Sequence, residues 1–162
     1  MQSRQQVNRE QVYQDCLNAA FRYLSYRPRS ETEIRLRLLK GGFDNSTIES
    51  AMQNLKEKAL VDDKDFARFW RHNRESFSPR SRVLLQRELK EKGIASHIID
   101  EALDGFDDES NAYRAAQKKM RAFASSEYKD FHNKLGAFLR RRGFGYTITN
   151  HTVNQLWQEM GG

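Results

Sequence analysis

The chain has 162 residues, 38% of them hydrophobic and 31% charged, and a mean hydropathy of -0.88. No run approaches the roughly 18 consecutive apolar residues of a membrane span, and the first twenty residues lack a secretory signal's apolar core, so a soluble, cytoplasmic protein is the expectation. A single cysteine, Cys16, excludes an intrachain disulfide framework and a Cys-based zinc site, while 28 Lys and Arg against 22 Asp and Glu leave a surplus of +6 that suits an acidic partner.

Taken from the N-terminus, Tyr13, Leu17, Ala20, Phe21 and Leu24 follow helical spacing and predict a first helix, with Cys16 on its apolar side as a small core residue. Ser30 with Glu33 forms a capping-box pattern that opens a second helix carrying Ile34 and Leu38. Gly42 stops it, and Ile48, Met52 and Leu55 predict a third. The same unit then returns. Gly93 and Gly143 follow Gly42 at spacings of 51 and 50 residues, and superimposing the three glycines aligns six further columns. Leu85 and Leu135 match Ile34; Leu89 and Leu139 match Leu38; Ile94 and Phe144 match Phe43; Ile99 and Thr149 match Ile48. Leu103 and Val153 match Met52, and Phe106 and Leu156 match Leu55.

Each later unit also has a leading helix, with Phe66, Phe69 and Trp70 in the second and Tyr113, Ala116, Met120 and Phe123 in the third. Ser81 stands at the same offset from its glycine as Ser30, whereas the third unit offers only Ser125, Ser126 and Asp130 as shifted caps. The pattern predicts an all-α protein of three tandem three-helix, helix-turn-helix-like repeats forming an elongated, curved array, because units this small bury little alone and must pack on their neighbours. The boundaries are a variable N-terminal tail over 1–10 and repeats over 11–60, 61–108 and 109–162. The acids Asp62, Asp63 and Asp65, and those from Asp104 to Glu109, fall at the junctions and read as caps and first-turn charges.

Charge is distributed unevenly, with nets of +3, -2 and +5 over residues 1–60, 61–108 and 109–162. Basic residues gather in and before each second helix: Arg27, Arg29, Arg35, Arg37 and Lys40; Arg80, Arg82, Arg87 and Lys90; Lys134, Arg140, Arg141 and Arg142. The planar guanidinium fork suits a nucleic-acid backbone or an acidic protein groove, and a merely solvated helix face is the plain alternative. Sequence-specific DNA reading ranks lower, since the helix after each glycine turn is acidic or neutral. Catalysis has little support: there is no Gly-rich phosphate loop, H-E-x-x-H or G-x-S-x-G, and His72, His97, His132 and His151 are scattered. No enzyme activity, cofactor or metal is expected.

Three blocks resemble the RecX regulators of the RecA recombinase. They are Tyr26-Arg27-Pro28-Arg29-Ser30-Glu31-Thr32-Glu33-Ile34-Arg35-Leu36-Arg37-Leu38, then Leu60-Val61-Asp62-Asp63-Lys64-Asp65-Phe66-Ala67-Arg68-Phe69-Trp70, then Ser81 to Ile94 with its closing Lys92-Gly93-Ile94. The resemblance runs from about residue 18 to 104, and the third unit keeps the apolar columns and a basic cluster. It implies a regulator that binds the RecA filament on single-stranded DNA and mainly inhibits strand exchange, ATP hydrolysis and co-protease function, and so bears on DNA repair and the SOS response; a monomer is the expected state, with oligomeric state left open by the sequence. The contact candidates are Arg27, Arg29, Arg35, Arg37, Arg80, Arg82, Arg87, Arg140, Arg141 and Arg142, meeting the recombinase or a single- or double-stranded DNA backbone. Trp70, at the family's aromatic position, is expected in the core rather than as a base-stacking platform. The rival reading is a stand-alone basic nucleic-acid-binding module that acts by competing for DNA.

Overall fold

A computed structural model describes residues 2–162 as nine α-helices with no strand among them. They are α1 Gln2–Leu24, α2 Glu31–Lys40, α3 Asn45–Glu57, α4 Asp63–Phe77, α5 Arg82–Glu91, α6 Ser96–Ala102, α7 Asp108–Met120, α8 Tyr128–Arg141 and α9 Tyr146–Glu159. The fold class is the expected one: three three-helix units in sequence, each with a glycine turn between its second and third helices. Residues 2–10, expected as a tail, belong to α1 and lie on its solvent side where described. A 3-10 turn, Arg121–Phe123, extends α7 and takes Phe123 out of the regular helix.

The glycine columns are buried as the spacing requires. Ile34, Leu85 and Leu135, and Leu38, Leu89 and Leu139, are all essentially inaccessible, and Phe43 and Phe106 alone in the six columns are half-buried. Two compact bodies result, Met1–Phe69 with Leu89–Ile99 and Trp70–Glu88 with Asp100–Gly162. In the first, α1, α2 and α3 enclose Cys16, Leu17, Ala20, Ile34, Leu38, Met52 and Leu55. Burial, then the charge of Asp44, pushes the Cys16 thiol up, so it behaves as a small core side chain. Phe21 is 38% exposed, one helical step off the buried stripe. In the second, α7, α8 and α9 enclose Ala112, Ala116, Phe131, Leu135, Leu139, Val153 and Leu156.

Ser30 caps α2 in full: its hydroxyl accepts from the Glu33 N–H at 3.1 Å, and the Glu33 carboxylate accepts from the Ser30 N–H at 3.0 Å. The Ser30 hydroxyl also donates, at 2.7 Å, to the carbonyl of Lys92, the residue before the next unit's glycine. Gly93, at φ +77°, lies so close to Thr32 that an added Cβ would overlap the threonine side chain. Asp63, at the start of α4, accepts from the Glu31 N–H at 2.9 Å, satisfying a first-turn donor of α2.

The second body repeats this joint with the next pair of units. Ser81 accepts from the Leu84 N–H at 3.2 Å, and the Ser81 N–H donates at 3.0 Å to the carbonyl of Arg142, again the residue before a glycine. Gly143, at φ +90°, packs on Ser81 and Leu84, and an added Cβ would stand 2.9 Å from the Leu84 Cβ. Asp108 accepts from the Arg82 N–H at 2.7 Å, as Asp63 does from Glu31. Asp63 and Asp108 are thus first-turn charges of their own helices that also serve the second helix before them, while Asp62 and Asp107 cap α4 and α7. Gly42 has φ +86° but nothing within 4 Å of an added Cβ. In the third unit Glu127, without a side-chain capping bond, begins α8 in place of the expected Ser125, Ser126 or Asp130.

The three glycines are therefore unequal. Gly42→Ala incurs only the left-handed backbone cost of about 1–2 kcal/mol. Gly143→Ala adds an overlap of the overpacking kind, about 1–3 kcal/mol more. Urea unfolding of the two variants is expected to show the lower midpoint for Gly143→Ala.

Candidate functional site

The arginines singled out from sequence separate into two populations, and two carboxylates do the sorting. Glu33 is the first. Its side chain, 11% exposed, binds Arg27 at 2.5 Å and Lys92 at 3.0 Å besides its capping bond. Burial alone would push its carboxyl up, but hydrogen bonds from Arg27, the Ser30 N–H and Lys92 outweigh this and hold it below the usual value. Arg29 stacks on the Tyr23 ring, its guanidinium carbon 3.9 Å from the centroid, and donates to the Tyr23 carbonyl at 3.2 Å. Arg35 pairs with Glu49.

Glu88 is the second, buried in the second body with three donors around it. The Trp70 indole N–H donates at 2.8 Å and Arg74 Nε at 3.1 Å, and Arg80 pairs with its other oxygen. Trp70 is half-buried there, with Arg74 stacked 4.8 Å from its ring centroid, so its indole is committed to this network. Arg82 donates to the Leu103 carbonyl, and Arg71 to those of Ala102 and Asp104 at 2.9 and 2.8 Å, which satisfies carbonyls left open at the end of α6. Arg142 is half-buried beside the Phe138 ring, 5.0 Å from its centroid; burial, then the charges of Arg80, Arg74 and Arg141, lowers its guanidinium from the ordinary value.

What remains faces solvent. Arg37, Arg87, Arg140 and Arg141 are exposed, and among the described residues none of them has an ion pair. Each lies on the outer side of a second helix, with Lys40 on α2 and Lys90 on α5. Of ten candidates, six hold structure or are partly buried against rings and four are exposed, Arg37 among them with its guanidinium carbon 5.5 Å from the Tyr23 ring centroid. Sequence spacing could not separate them, because Glu49 and Leu103 are far in sequence from the arginines they engage.

Among the described residues no group of three His, Cys, Asp or Glu side chains is placed to hold a metal, and no helix is long and apolar enough to cross a membrane. His72, His97 and His151 are exposed, and His132 lies beside the Tyr128 ring.

The RecX first three-helix domain matches residues 16–55, the second 62–103 and the third 107–153. The chain belongs to the RecX family. The regulatory protein RecX of Chlorobaculum tepidum is 37% identical over 144 residues, covering 88% of this chain and 89% of that protein. That of Prosthecochloris aestuarii is 35% identical over 140 residues, covering 86% and 92%. The crystal structure of RecX from Lactobacillus salivarius superimposes with a TM-score of 0.71 at 24% identity, covering 91% of this chain and 97% of that one. A second crystal structure of regulatory protein RecX gives 0.70 at 20% identity over 91% and 74%. The solved structures share the fold, and the sequence relatives establish a RecX regulatory protein.

Two outcomes distinguish the populations. Glu88→Ala leaves Arg74 and Arg80 without their buried partner and is expected to cost about 3 kcal/mol in urea unfolding, whereas Arg140→Glu with Arg141→Glu is expected to stay within about 0.5 kcal/mol of the parent protein. For Glu33 the sign follows from its lowered carboxyl. Its contribution is complete above its ordinary value of 4.5 and disappears as pH falls through the lower folded value. Glu33→Gln is expected to lower stability by at least about 1 kcal/mol at pH 7, with the gap closing in melts below pH 4.

Proposed function

We propose that this RecX protein binds the RecA filament formed on single-stranded DNA and modulates it, mainly by inhibiting strand exchange, ATP hydrolysis and co-protease function, with consequences for DNA repair and the SOS response. The observation that carries the reading is family membership joined to unpaired, solvent-facing arginines on the second helix of every unit: Arg37, Arg87, Arg140 and Arg141. Such a surface attracts a polyanionic assembly through the long-range field and holds it by two-point guanidinium contacts. No covalent step is required, because occupancy of the filament is itself the regulatory act.

The contact set narrows accordingly. Arg37, Arg87, Arg140 and Arg141 meet the partner directly. Arg27, Arg29, Arg35, Arg80, Arg82 and Arg142 act through the backbone and side chains that they hold in place.

Filament preference tests the reading. Labelled single-stranded DNA, bare or coated with recombinase, is titrated with this protein at two salt concentrations. Tighter binding to the coated strand at both salts is expected, and Arg140→Glu with Arg141→Glu should weaken it at least about tenfold, with inhibition of strand exchange lost in parallel. Equal affinity for coated and bare DNA, with a steep salt dependence, would instead identify a DNA-competing module.

A further inference from the structure

In the second body, where the end of α4 approaches α7 and α8, the surface holds a groove of about 180 Å³ that Arg37, Arg87, Arg140 and Arg141 do not line. Phe77, Pro79 and Phe138 supply its apolar lining, and Lys118, Lys119 and Arg142 its charge. Phe77, the last residue of α4, is 77% exposed, a large apolar side chain left open to solvent at the rim of the groove.

No carboxylate among the described residues lines this groove. The nearby acids are already engaged: Glu88 with Arg74, Arg80 and Trp70, and Glu75 with Arg71 and Arg114. Lys118 donates to the Ser76 carbonyl at 2.7 Å, which orients the ammonium without neutralising it. Lys119 and Arg142 stand 5.7 and 5.0 Å from the centroid of the Phe138 ring. The crowding of Arg142 by Arg74, Arg80 and Arg141 adds a field that an arriving anion would relieve.

Size and shape restrict the occupant. A volume of about 180 Å³ is roughly that of six waters, below the usual 300–1,000 Å³ of a small-molecule pocket, so it accepts one side chain of a longer ligand. Single-stranded nucleic acids stack bases on open aromatic faces, and the Phe138 ring is already attended by two cations. An apolar side chain against Phe77 and Phe138, with flanking carboxylates on the three cations, satisfies both halves of the lining.

We propose that this groove docks an acidic peptide segment bearing one large apolar side chain. The proposal stands apart from the recombinase reading, since it names the chemistry of the segment and not the protein that carries it.

Fluorescence anisotropy with the full chain tests it, using a labelled ten-residue peptide of glutamates around a central phenylalanine. Comparison peptides replace that phenylalanine by alanine or the glutamates by glutamine, and a ten-nucleotide oligothymidine is the fourth probe. The parent peptide is expected to bind at least about tenfold tighter than either altered peptide. Phe77→Ser and Lys119→Glu, both at exposed positions, should each weaken it about tenfold with unchanged thermal melts. Equal binding of the phenylalanine and alanine peptides would overturn the proposal, as would indifference to both substitutions. A loss of oligothymidine binding in Phe77→Ser that matches or exceeds the loss of peptide binding would reassign the groove to nucleic acid.

Discussion

An α-helix begins with backbone N–H groups that its own coil cannot satisfy, and in this protein the start of a second helix is where one unit takes hold of the next. Ser30 and Ser81 are buried there because each meets the carbonyl just before the following unit's glycine, and Asp63 and Asp108 reach back to the adjacent Glu31 and Arg82 amides. The approach is possible only if the turn has no side chain at its tip. Positive φ would favour glycine at Gly93 and Gly143 in any case; contact with Thr32 and with Ser81 and Leu84 makes it a steric requirement as well. A three-helix unit of about 50 residues buries little surface by itself, so contacts of this kind between successive units add to what each core supplies.

The joint also shapes the charge. A carboxylate placed beside the second helix, Glu33 in one unit and Glu88 in the next, collects basic residues from its own unit, and Glu33 takes Lys92 from the following one. Taking an arginine partly out of water is tolerable when its partner is fixed and hydrogen-bonded, and these two carboxylates meet that condition through their multiple donors. The paired arginines thus hold the frame on which the exposed arginines of the second helices, Arg37, Arg87, Arg140 and Arg141, are set.

Much of this was legible in the sequence. The six glycine-registered columns identified the helices and core, the Ser30–Glu33 pattern identified its capping box, and three short blocks led to the family. The junction acids were rightly read as first-turn charges, although their bonds to the preceding unit were not, because partners such as Glu31 and Asp63 lie 32 residues apart. Burial of Ser30 and Ser81 was equally hidden, since a capping serine looks the same whether its hydroxyl meets water or another unit. The shifted caps of the third unit failed because the position matching Ser30 and Ser81 carries the buried Phe131, already inside α8, and the helix starts earlier, at Glu127, without a serine. Arginine roles were the least legible, since local spacing places a guanidinium on a face but does not reveal which distant carboxylate or carbonyl faces it.

Hydrogen exchange at three backbone amides tests the joint most directly: Glu31, Ser81 and Arg82. All three lie at helix starts, where no intrahelical acceptor exists, and in an isolated unit they would exchange nearly as fast as open chain. Bonded to Asp63, the Arg142 carbonyl and Asp108, they should instead exchange as slowly as interior amides of α2 and α5, with Ser81 losing its protection in Gly143→Ala. Fast exchange at all three in the parent protein would contradict the account.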